Sequence, residues 1–80
     1  MPETILIIED DPNQADVARL LLEHHGFETV VAYDGAEGLR KLYETQPDLI
    51  VLDLVLPQID GWAVCRRIRE MSTVPIIIVT

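Results

Sequence analysis

Four short apolar runs rich in β-branched residues alternate with stretches of helical periodicity, and no other feature narrows the possible folds so far. The runs are Thr4–Ile8 (TILII), Glu28–Ala32 (ETVVA), Leu49–Leu52 (LIVL) and Ile76–Val79 (IIIV). Continuous rather than alternating apolar character marks strands covered on both faces, the pattern of a parallel sheet. The segments between them carry helix signals. Asp11-Pro12-Asn13-Gln14 places an acidic N-cap before a proline at the first helical position, with Gln14 able to close a capping box. Val17, Ala18, Leu20, Leu21 and Leu22 then form an apolar face, and Gly26 supplies the stop. Asp34-Gly35-Ala36-Glu37 repeats the cap, and Ala36, Leu39, Leu42 and Tyr43 continue a stripe until Gln46-Pro47 breaks it. Leu54 to Gly61 is a loop carrying Pro57, after which Asp60 can cap a helix that buries Val64, Cys65 and Ile68. Pro75 suits only a strand start or an edge. The order β-α-β-α-β-α-β, with short connections, predicts a parallel sheet joined by right-handed crossovers.

Eighty residues allow one small domain. Six Lys and Arg against fourteen Asp and Glu leave a net charge of −8, which excludes a nucleic-acid surface made by this stretch. An apolar content of 49% excludes a disordered acidic tail. A single cysteine, Cys65, excludes a disulfide framework and fits a reducing compartment. Met1-Pro2-Glu3 lacks the basic flank of a signal peptide, and no apolar run approaches the roughly 20 residues that cross a bilayer. A cytoplasmic location is expected. The fourth strand would leave a hydrophobic edge that invites pairing with another chain. The expectation is therefore that residues 1–80 are part of a longer domain and can self-associate through the strand-four side.

Ligands of parallel sheets bind beyond the carboxyl ends of the strands, where the strand order reverses. Strand one ends in Glu9-Asp10-Asp11, strand three in Asp53 and strand four in Thr80. With strands one and three adjacent, Glu9, Asp10 and Asp53 converge, whereas Asp11 is accounted for as a cap. Two carboxylates ~5 Å apart at an effective dielectric near 20 repel by about 3 kcal/mol, so three pairs approach ~10 kcal/mol. That is comparable to a domain's stability of ~5–15 kcal/mol. A divalent cation relieves the repulsion, and an all-oxygen donor set selects Mg²⁺ over Zn²⁺. Carboxylates around such an ion, beside a hydroxyl, suit phosphoryl transfer to a carboxylate, with Asp53 as the nucleophile.

ILIIEDDPN, PDLIVLDLVLPQIDG and VPIIIVT resemble, in register, the receiver domain of two-component response regulators. The resemblance covers all 80 residues and implies a flavodoxin-like doubly wound sheet, here β1-α1-β2-α2-β3-α3-β4 in strand order 2-1-3-4, without helix four, strand five and helix five. It implies Asp53 as phosphoacceptor from a sensor histidine kinase, and a Mg²⁺ ion held by Asp10, Asp53 and the backbone carbonyl of Val55, with Glu9 acting through water. Thr80 is the implied switch hydroxyl, while Pro57 and Gly61 shape the loop after the acceptor. Such a domain catalyses its own phosphorylation and dephosphorylation rather than acting as an enzyme on a separate substrate, and it controls an output, often transcription. The Lys that the family carries on strand five has no counterpart among these residues.

The alternative is a pseudo-receiver, an interaction module that keeps the fold without phosphorylation. Haloacid-dehalogenase-type chemistry needs an acid two residues after the strand-end Asp, where this sequence has Val55, and no P-loop is present. His24 and His25 suit the carboxyl end of the first helix, where a cation favours the dipole. Tyr33 and Trp62 flank helix starts with partial burial expected. Arg66, Arg67 and Arg69 read as a solvated helix face.

Overall fold

Ile5, Leu6, Ile7 and Ile8 are each at most 2% exposed, as a strand with both faces covered must be. In the computed structural model, which describes residues 2–53 and 60–79, they belong to β1 (Thr4–Ile8), followed by α1 (Pro12–His24), β2 (Glu28–Ala32), α2 (Gly35–Thr45), β3 (Leu49–Asp53), α3 (Gly61–Met71) and β4 (Ile76–Val79). All strand pairs are parallel and the order is β2-β1-β3-β4. The chain has the flavodoxin-like α/β arrangement expected from its sequence, with the order reversing between β1 and β3.

The helix signals act as local chemistry requires. The Asp11 carboxylate accepts the Asn13 amide (2.9 Å), Asp34 accepts Glu37 N–H (2.8 Å), and Asp60 accepts Trp62 N–H (3.0 Å). Each satisfies an amide that the first helical turn leaves unpaired. α1 closes at Gly26, whose φ of 93° lies in the left-handed region, with Phe27 N–H bonded to the Leu22 carbonyl at 3.1 Å. Nothing lies within 4 Å of a Cβ built at Gly26. The cost of a side chain there is purely conformational, and Gly26→Ala is expected to lower unfolding free energy by about 1 kcal/mol in urea titrations. α2 ends differently, on Gln46 in the left-handed region (φ 47°) just before Pro47.

One face of the sheet carries the packed core. Leu6, Ile8, Ala32, Ile50 and Leu52 meet Leu42 of α2 and Val64 and Ile68 of α3. Gly38 lets α2 press onto β1, since a Cβ at that position would stand 2.6 Å from Ile8 Cδ1. The opposite face is covered by α1, which packs on β1 and β2. Here the sequence expectation needs correcting. Ala15 is the buried residue of α1, whereas Val17, Leu20 and Leu21 are 67%, 58% and 58% exposed. The apolar stripe is wider than the sheet surface that one helix contacts. Ile77 and Val79 on β4 are also exposed.

Candidate functional site

The acids lie where β1 and β3 deliver them. Ile8 pairs in register with Leu52, so Glu9 and Asp53 leave adjacent strands side by side. Glu9 stays attached to the sheet because its amide donates to the Ala32 carbonyl at 3.0 Å. Asp53 ends β3 and pairs in register with Val79. One carboxylate oxygen from each of Glu9, Asp10 and Asp53 lies within 4.8 Å of the others. Glu9 and Asp53 are partly buried and Asp10 is exposed. The convergence expected from the sequence is therefore present. Val55, Pro57 and Thr80 lie outside the described residues.

The electrostatics follow from crowding. Desolvation first, then a hydrogen bond shared with Asp53, push the Glu9 carboxyl up from 4.5 to about 7. The charges of Asp53 and Asp10 act in the same direction, while the Asp11 N–H, donating to Glu9 Oε1 at 3.2 Å, works against them. A hydrogen bond between two carboxyl groups needs a proton on one of them, so burial and that bond together favour a proton on Glu9, which also eases its repulsion from Asp53 and Asp10. A cation would do the same without the proton. Three carboxylates with no nitrogen or sulfur donor among them fit a hard divalent ion such as Mg²⁺.

The shift has a sign that can be measured. The folded state binds the Glu9 proton more tightly than the unfolded chain does, so stability is highest below about pH 4.5 as far as this group is concerned and declines as pH rises through about 7. Between pH 5 and pH 8 the metal-free protein should lose thermal midpoint. The decline should flatten in Glu9→Gln and in saturating Mg²⁺, as differential scanning calorimetry would show.

Beside the acids is a hollow of about 140 Å³ lined by Ile7, Glu9, Gln14, Ala18, Asp53 and Val79, among others. Gln14, read in the sequence only as a capping residue, thus lines this hollow together with Glu9 and Asp53. No periodicity marks that role, because it depends on where α1 crosses the sheet. The remaining singled-out residues lie elsewhere. His25 Nδ1 is 2.9 Å from the Leu21 carbonyl at the end of α1, in keeping with a helix-terminal role. Arg67 pairs with Glu70, and Arg69 donates to the Ser72 carbonyl, as on a solvated face. Tyr33 (46%) and Trp62 (53%) are more exposed than expected.

Residues 5–80 match the family described as response regulator receiver domain. The chain belongs to that family. Among relatives of this receiver, the response regulator ArlR of Staphylococcus saprophyticus is 49% identical over 76 residues, covering 95% of this chain and 34% of that protein. The DNA-binding response regulator MtrA of Mycolicibacterium smegmatis is 42% identical over 80 residues, covering 100% of this chain and 35% of that protein. This receiver chain therefore spans about a third of the length of those relatives. Its fold superposes on the N-terminal domain of a response regulator receiver protein from Methanoculleus marisnigri with a TM-score of 0.94 at 34% identity, over 98% of this chain and 66% of that one. A response regulator structure from Chloroflexus aurantiacus gives 0.92 at 37% identity, with the same coverage. Among the described residues of the receiver, no helix is long and apolar enough to cross a membrane.

Proposed function

We propose that this receiver accepts a phosphoryl group on Asp53 from the phosphohistidine of a sensor kinase, in a Mg²⁺-dependent reaction. The carrying observation is the meeting of Glu9, Asp10 and Asp53 within 4.8 Å at the strand ends. Asp53 ends an internal strand, partly buried between β1 and β4, and its carboxylate is the nucleophile. An oxygen of Asp53 attacks phosphorus as the P–N bond to the donor imidazole breaks, and the leaving nitrogen takes up a proton. Asp10, Asp53 and the Val55 carbonyl would hold the ion, with Glu9 reaching it through water; the ion, when bound, would neutralise charge on the phosphoryl oxygens. Thr80 would donate its hydroxyl to a phosphoryl oxygen.

The product adds about −1.5 to −2 of charge next to two further acids, and that change shifts the balance between two conformations. Control of transcription is the output this reading favours, supported by the DNA-binding relative. These eighty residues then act as the first part of a longer, cytoplasmic receiver domain, in keeping with the two-thirds coverage of solved receivers.

The test is incubation of the full-length protein with acetyl phosphate, with and without Mg²⁺, followed by peptide mapping. A hydroxylamine-sensitive label on the peptide containing Asp53, dependent on Mg²⁺, is the expected result. An unlabelled but folded protein would place it among pseudo-receivers.

A further inference from the structure

We infer that Asp11, beyond capping α1, is a positioning residue that sets the orientation of Glu9 and thereby tunes the metal site; this rests on the metal-binding reading above. Three bonds meet at the residue. Its side chain accepts the Asn13 amide at 2.9 Å, its carbonyl accepts the Ala15 amide at 2.9 Å, and its own N–H donates to Glu9 Oε1 at 3.2 Å. The first two hold residue 11 in its extended conformation (φ −85°, ψ 114°) at the mouth of the helix. In that conformation its N–H points back at the carboxylate two residues earlier. The Glu9 carboxyl, partly buried just beyond the end of β1, is held from two sides, by the hydrogen bond it shares with Asp53 and by the Asp11 N–H. The cap and the carboxylate are thus one mechanical unit: loosening the first turn of α1 releases the donor that aims Glu9. Partners that orient metal-binding groups in this way commonly change affinity by roughly 10–100-fold when they touch a direct ligand. A smaller effect is expected where the group acts through water.

Mg²⁺ affinity measured by titration calorimetry at pH 8 tests the idea. Asn caps helices as well as Asp but carries no charge, so Asp11→Asn is the reference that removes charge alone. Asp11→Ala, which also removes the cap, should bind Mg²⁺ about threefold more weakly than Asp11→Asn. That gap should close when both are made in a Glu9→Gln background, because the cap then has no carboxylate to aim. Equal affinities of the two position-11 variants would overturn the inference, as would a gap that persists without Glu9. Asp10→Asn reports on the underlying reading separately. If it binds Mg²⁺ as tightly as the unaltered protein, the metal site itself is misplaced and the role of Asp11 falls with it; if only Asp10→Asn is weakened, the site stands and the positioning role alone fails.

Discussion

Asp53→Asn should abolish phosphoryl incorporation from acetyl phosphate, with labelling at least about a hundredfold below the unaltered protein. The amide matches the carboxylate in shape but offers no anionic oxygen to attack phosphorus. Backbone pairing of residue 53 with Val79 does not involve the side chain, so the sheet should be unaffected. The same change removes one of three mutually repelling charges. In metal-free buffer at pH 8, where Glu9 is largely ionised, the variant should be more stable by about 1 kcal/mol, or about 4–8 °C in thermal midpoint. Loss of labelling together with raised stability separates a missing nucleophile from a damaged fold. Persistent labelling in Asp53→Asn would mean that another acid, Glu9 or Asp10, is the acceptor.

The second large effect concerns the ion. Asp10→Asn should weaken Mg²⁺ at least about thirtyfold, roughly 2 kcal/mol, whereas Glu9→Gln should weaken it only about fivefold at pH 8. The exposed Asp10 carboxylate is free to meet a hydrated ion, while the Glu9 carboxyl holds its proton up to about pH 7. An ion must displace that proton, so Mg²⁺ affinity of the unaltered protein should rise between pH 6 and pH 8 and binding should release a proton. In Glu9→Gln both the rise and the proton release should largely disappear. Equal losses for the two variants in calorimetric titrations would refute this division of labour.

The fold was legible because its determinants are local and consistent. Continuous β-branched runs, acidic caps at Asp11, Asp34 and Asp60, and breaks at Gly26 and Gln46-Pro47 agree with one another, and each is seen in the structure. The convergence of Glu9, Asp10 and Asp53 was legible too, since a parallel sheet leaves few ways to order the strands. What could not be read from the chain depends on how one element sits on another. The stripe on α1 suggested burial for Val17 and Leu21, but burial is decided by the width of the opposing surface. The same limit hid Gln14 at the rim of the hollow and the Asp11 amide on Glu9, and it hid the proton that Glu9 retains. Each is a matter of a few ångströms between groups that periodicity treats as independent.

The unequal dressing of the sheet has a mechanical consequence. On one flank of Asp53, β1 is wedged between two strands and sealed above and below; on the other, β4 presents Ile77 and Val79 to water. Backbone on the sealed flank cannot yield without breaking tight contacts. Glu9 and Asp10 therefore leave a strand end whose backbone is pinned on every side, and their separation from Asp53 is set by the sheet rather than by the side chains alone.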